Sequence, residues 1–225
     1  MNARQHELRL TVELRQVNDA VSCIFHSLLL HRTLAKFQFS TENNYTLGSL
    51  GLKEVDCDHI DLTYVRVNSE ELAMRLDEDV RQFRSECCSV AERPNRPRFL
   101  FQKQRRQSFG GWISGAATED SAIWEQWKLI LDVFRVDSND ELRRMRHTVA
   151  DSLGDLVLSI CTKINQPLYI PKMPSKSLVN DVFETRFSDC QPFLFQIKRQ
   201  AVPTLPQKPS FTQAAFQRIW KDVLS

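Results

Sequence analysis

The densest group of residues able to do chemistry is Asp56-Cys57-Asp58-His59-Ile60-Asp61. Its carboxylates offer hard oxygen donors to a divalent cation, and Cys57 with His59 is the kind of sulfur and nitrogen pair that binds zinc. A calcium loop also needs a central glycine and a distal glutamate, and neither is in place. The plainer reading is a solvated turn running into a strand, with Cys57 packed as a small hydrophobe. That reading carries more weight, and no metal ligand is assigned. His147 and Asp151 stand four apart in a helical pattern and so share a face. A carboxylate that orients an imidazole and raises its pKa makes a general acid–base pair, but an ordinary surface pair explains the same spacing. His26 and His31, five apart, would point about 140° away from each other on a helix, which argues against a shared metal.

Other catalytic and cofactor chemistries lack their sequence marks. Gly-x-x-x-x-Gly-Lys, Gly-x-Gly-x-x-Gly and Gly-x-Ser-x-Gly are all absent. Glycine is only 6 of 225 residues, where phosphate cradles and nucleophile elbows depend on it. Cys23, Cys57, Cys87, Cys88, Cys161 and Cys190 form no Cys-x-x-Cys pair, so common zinc and redox spacings are missing. No catalytic residue and no cofactor is expected. The start of the chain, Met1-Asn2-Ala3-Arg4-Gln5-His6-Glu7, has no apolar signal stretch. No run approaches the roughly 18 apolar residues of a membrane span. A reduced, cytoplasmic protein without a transmembrane segment is the expectation. With 30 Lys plus Arg against 28 Asp plus Glu, the net charge is +2. Bulk attraction to nucleic acid or membranes is therefore not expected.

Three features suggest contact surfaces. Arg93, Arg96, Arg98, Lys103, Arg105 and Arg106 face a single Glu92 and are interleaved with Phe99, Phe101, Phe109 and Trp112. This is either a hairpin with a basic outer face and Phe99 and Phe101 turned inward, or a surface for nucleic acid or an anionic membrane. Ser108-Phe109-Gly110-Gly111-Trp112-Ile113-Ser114-Gly115 puts large side chains in a glycine-flanked loop, which either folds back onto a groove or exposes its aromatics as binding anchors. Phe109, Trp112 and Ile113 form the candidate finger. The third feature is the outer face of a long helix, where Arg144, His147, Asp151, Asp155 and Leu158 lie opposite an apolar stripe. From Gly154 to Ile164 this helix is apolar nearly all round, so it is covered either by the chain's own tail, with Phe193, Phe195 and Ile197, or by another protein, and the tail is the expected cover.

These residues need a scaffold. Leu8 to Leu14 alternates apolar and polar, as a half-buried strand does. Val17, Ala20, Val21, Ile24, Phe25 and Leu28 then follow helical spacing, and Leu29 and Leu30 widen the stripe, so this helix should be central. Phe37 to Phe39, Tyr45 to Leu47 and Ile60 to Val67 read as strands. Asn68, with Glu71 three residues on, reads as the capping box of a helix carrying Leu72, Leu76, Val80 and Phe83. A connector at residues 92–97 leads to a strand over Arg98–Lys103, a loop, and an antiparallel strand with Trp127, Leu129, Leu131 and Val133. Ser138 and Glu141 read as a second capping box, opening a helix with Leu142, Met145, Val149, Leu153, Leu156, Ile160 and Ile164 on one side. Leu168–Ile170 and Phe193–Ile197 follow as short strands. Residues 201–225 form a linker spaced by Pro203, Pro206 and Pro209, then a helix with Phe211, Ala215, Phe216, Ile219, Trp220 and Val223. The expected class is α+β, with three core helices packed on a mostly antiparallel sheet.

Several blocks resemble the autophagy-related protein 101 family, small HORMA-domain proteins of the autophagy-initiation kinase complex. They are Leu28-Leu29-Leu30-His31-Arg32, Val55 to Val67, Ser69-Glu70-Glu71-Leu72, Tyr169-Ile170-Pro171-Lys172-Met173-Pro174, Asn180-Asp181-Val182-Phe183 and Asp189-Cys190-Gln191-Pro192. The resemblance implies a HORMA domain over residues 1–200, followed by the linker and helix of 201–225. It implies a non-catalytic adaptor that pairs with the HORMA domain of autophagy-related protein 13 and stabilises it. It also implies recruitment of downstream autophagy factors at the phagophore assembly site through a Trp/Phe finger just upstream of Trp124-Glu125-Gln126-Trp127. The nearest match to the family's Trp-x-Phe is Trp112 with Phe109 or Ile113, in a longer loop. HORMA pairs dock through the long helix, which would give Arg144, His147 and Leu158 a place on the pairing face.

Overall fold

The computed structural model describes residues 4–90, 97–106, 121–166 and 173–201. Strand β1 (Arg4–Glu13) buries Leu8, Leu10 and Val12 and leaves Gln5, Glu7 and Arg9 outside, as the alternation predicts. A short 3-10 turn (Leu14–Gln16) leads into α1 (Val17–Leu30). Ten residues of α1 are buried, because it packs against two other helices and two strands rather than along one side only. Among the described residues the remaining elements are β2 (Thr33–Ala35), β3 (Phe37–Phe39), β4 (Tyr45–Leu47), β5 (Leu52–Asp56), β6 (Thr63–Val67), α2 (Glu70–Val90), β7 (Pro97–Arg106), β8 (Ser121–Phe134), α3 (Asn139–Ile164), a second 3-10 turn (Lys176–Leu178), α4 (Val179–Val182), β9 (Cys190–Pro192) and β10 (Phe195–Ala201).

The main sheet runs β1-β8-β7-β10. β7 pairs antiparallel with β8, as the hairpin reading predicts, and also with β10, while β1 lies parallel to β8 with Leu8 opposite Leu129 and Leu10 opposite Leu131. Among the described residues, the other strands pair in three two-stranded ribbons: β2 with β9, β3 with β4, and β5 with β6. The core sits between the inner face of β1 and β8 and helices α1, α2 and α3, and contains Trp127, Leu129, Phe25, Phe83 and Leu153. The architecture is α+β.

Some local expectations change. The N-cap of α2 is Ser69 rather than Asn68: the Leu72 amide donates to Ser69 Oγ at 3.2 Å. Asn68 is held by the ribbon instead, donating its amide to the Gly51 carbonyl at 2.9 Å. Glu71 turns outward and accepts from the amide and hydroxyl of Ser188. Ser138 is the N-cap of α3 by position, yet its side chain makes no capping hydrogen bond, so the second box is not formed. The strand expected from Ile60 begins only at Thr63, because residues 58–62 form a turn closed by the Leu62 amide on the Ile60 carbonyl at 2.8 Å. The residues expected at 92–96, at 168–170 and beyond 201 lie outside the described residues, as do the side chains of Phe99 and Phe101.

Candidate interaction surface

Helix α3 has 26 residues and so spans about 39 Å at 1.5 Å per residue. Met145, Val149, Ala150, Leu153, Ile160 and Ile164 are buried. Leu142 and Leu156, expected on the same stripe, are only half-buried. Arg144, His147, Asp151, Asp155 and Leu158 all face outward. At 100° per residue, Arg144, His147 and Leu158 fall within about 60° of one another on a strip about 21 Å long. Leu158 is 67% exposed, which overturns the expectation that the tail packs over it. Phe193 goes instead into a second small cluster with Val182 and Phe183, and Phe195 and Ile197 pack against the main core.

Beside this strip, His31 Nε2 and Cys161 Sγ meet at 3.4 Å and bring the end of α1 against α3. His26, on the same helix as His31, is buried and stacks on Tyr64 with ring centroids 5.8 Å apart. Burial, aided by the Arg66 charge, pushes His26 down to about 4. The two histidines thus serve different neighbourhoods. His147 and Asp151 are joined by no hydrogen bond or ion pair, so the acid–base pairing weighed from their spacing is not formed.

The carboxylates of the Asp56 to Asp61 group are largely taken up locally. Asp56 accepts from Thr63 Oγ1 at 2.5 Å, and Arg146 Nε donates to Asp61 at 2.8 Å. The His59 amide donates to Asp19 of α1 at 2.7 Å. Asp19, Asp58 and His59 bring ligand atoms within 4.8 Å of one another, but Cys57 is not among them. Burial first, then Asp19 and its neighbours, push the Cys57 thiol up to about 12, which suits a packed side chain rather than a thiolate ligand. The group anchors a turn onto α1 and α3.

One interior feature was not expected from the sequence. Arg32 and Glu125 are fully buried and paired, with Trp124 beside the guanidinium. A signal was present: Glu125 lies two residues before Trp127 on an inward-facing register, and Arg32 directly follows an apolar helix. The candidate finger, Phe109, Trp112 and Ile113, lies outside the described residues. So do the side chains of Arg98, Lys103, Arg105 and Arg106, on which the nucleic-acid or membrane alternative depended.

A family model described as autophagy-related protein 101 matches residues 9–177. The chain belongs to the autophagy-related protein 101 family. It is 33% identical to autophagy-related protein 101 of Xenopus tropicalis and 33% identical to that of Homo sapiens, each alignment covering 100% of both chains. The Arabidopsis thaliana protein of that name is 25% identical over 141 residues, 60% of this chain and 55% of the plant protein. Membership assigns the chain a role in autophagy, in a family named for that process rather than for an enzyme activity. Among the described residues no helix is long and apolar enough to cross a membrane.

Proposed function

We propose that this chain is a non-catalytic adaptor of autophagy initiation. Residues 1–200 act as a HORMA domain that pairs with the HORMA domain of autophagy-related protein 13 and stabilises it within the initiation kinase complex. The outer strip of α3, with Arg144, His147 and Leu158, is the pairing face. Phe109, Trp112 and Ile113, between β7 and β8, recruit downstream autophagy factors at the phagophore assembly site, and residues 201–225 supply a linker and terminal helix.

The observation that carries the reading is Leu158. A leucine 67% exposed among Arg144, His147, Asp151 and Asp155 costs solvation in the free chain and gains it at an interface with a polar rim. The test is size exclusion of the full chain mixed with the HORMA region of autophagy-related protein 13. Co-elution as a one-to-one complex at micromolar concentration is expected, and separate elution would sink the pairing.

A further inference from the structure

At the junction of β1, the 3-10 turn and the first turns of α3, the chain forms a cleft of about 310 Å³. Its charged lining is Arg15, Arg143 and Arg146 with Glu13, and Gln16, His59, Asn139 and Leu142 complete the walls. Arg143 and Arg146 stand one turn apart on the side of α3 that also carries Leu142, so the helix itself aims them at one space. Arg15 reaches the same space from the turn after β1.

The charges in this cleft are not balanced internally. Glu13 is buried, and its carboxylate accepts from backbone amides of the 3-10 turn, including Arg15 N at 2.6 Å. Its charge is therefore held by the backbone rather than by a guanidinium. Gln16 is buried and satisfied on both sides: its Oε1 accepts from the Glu13 amide at 3.0 Å and its Nε2 donates to the His59 carbonyl at 3.0 Å. These bonds make a fixed polar floor. Arg146 is tied to Asp61 at 2.8 Å. The guanidiniums of Arg15 and Arg143 are exposed and make no hydrogen bond or ion pair with any described residue. The amides at the start of α3, which opens this wall at Asn139, lack a side-chain cap and add the positive end of a helix dipole, offset in part by Asp140 and Glu141 in the same turn.

We propose that this cleft binds a phosphoryl group through Arg15 and Arg143, with Arg146 behind them. A guanidinium fork matches two phosphoryl oxygens at once, and two unpaired forks match a dianion better than a single carboxylate. The cleft is larger than a phosphoryl group alone, and Leu142 offers an apolar wall to an organic stem. His59 carries the one aromatic ring of the lining, which has no Trp, Tyr or Phe and so makes a poor stacking platform for a nucleic acid strand. A soluble phosphate ester and the headgroup of a phosphorylated lipid present the same chemistry here. The cleft does not rest on Leu158: Arg143 and Arg146 lie about 18–22 Å from it along the helix, with Arg143 bordering Arg144 and His147.

The test uses the purified full chain and two probes at low salt. Inorganic pyrophosphate is titrated by calorimetry, and flotation is run with phosphatidylcholine vesicles with and without a minor fraction of phosphatidylinositol phosphate. Saturable one-to-one binding of pyrophosphate is expected, weakened at least about tenfold by Arg15→Gln or Arg143→Gln and lost in the double variant. Arg135→Gln, an exposed arginine outside the cleft, should bind as the parent does. Thermal melting of each variant shows whether loss of binding reflects loss of fold. Flotation only with the phosphorylated lipid, lost in the same two variants, supports a headgroup as the source. Pyrophosphate binding without flotation supports a soluble ester. No saturable binding of either probe, or binding indifferent to both cleft arginines, overturns the proposal.

Discussion

Arg32, just past the end of α1, and Glu125 of β8 form a two-pronged ion pair closed off from water, with Nε to Oε2 at 3.0 Å and Nη2 to Oε1 at 3.1 Å. The same Nη2 donates to the carbonyl of Ile164, the last residue of α3, at 2.6 Å. The Arg32 carbonyl in turn accepts from the Phe193 amide at 2.9 Å. One residue therefore joins the end of α1, the centre of the sheet, the end of α3 and the chain leading into β10.

Glu125→Ala would leave a buried guanidinium without its counter-charge. A loss of about 3–5 kcal/mol in urea unfolding is expected. Glu125→Gln, which keeps one acceptor, should lose less. A loss below about 1 kcal/mol for the alanine variant would mean that water reaches Arg32 and the junction is not sealed.

Leu158→Glu places a charge where the pairing face would close. Because Leu158 is 67% exposed, stability should change by no more than about 0.5 kcal/mol. Binding to the HORMA region of autophagy-related protein 13 should weaken at least about tenfold. Unchanged affinity in calorimetry would remove this strip from the interface.

Trp112→Ala should leave folding and that pairing unchanged while reducing the capture of downstream autophagy factors by the assembled complex. The measurement is a pull-down with the pre-formed pair as bait, scored beside Leu158→Glu. Equal capture by the Trp112→Ala complex and the parent would place recruitment elsewhere.

His26 predicts a pH dependence of stability. Its folded value is pushed down to about 4, chiefly by burial, while an unfolded histidine titrates near 6.5. Between those values the unfolded chain takes up a proton that the native chain does not. Stability is therefore full above about pH 6.5 and falls as pH drops toward 4, by about 3 kcal/mol from this group. His6, also pushed down by burial and by Arg4, acts in the same direction. His26→Phe keeps a ring against Tyr64 and should flatten the slope in urea unfolding between pH 6.5 and 4.5. Parallel slopes for parent and variant would show that another group sets it.

Much of the scaffold was legible locally. The all-round burial of α1 follows from its crowding with apolar residues, and β3 and β4 fall where their aromatic and β-branched residues predicted. The α3 stripe and its exposed outer residues follow from a 3.6-residue period. The strip carrying Arg144, His147 and Leu158 could thus be named from sequence. β5 could not, because four of the five residues in Leu52-Lys53-Glu54-Val55-Asp56 are exposed and leave no alternating pattern.

Periodicity and residue type by themselves determined the strand or helix character of β1, α1, β8 and α3 and which side of each is wet, since those properties are set by neighbours within one or two turns. Only the tertiary structure decided that β1 lies parallel to β8, that Ser69 rather than Asn68 caps α2, that Arg32 finds Glu125, and that Arg15 meets Arg143 across a cleft. Each of these outcomes depends on which distant segment arrives beside a given side chain. A buried charge or an unpaired guanidinium leaves no local trace of its partner, because its energy is settled by a group that can lie a hundred residues away.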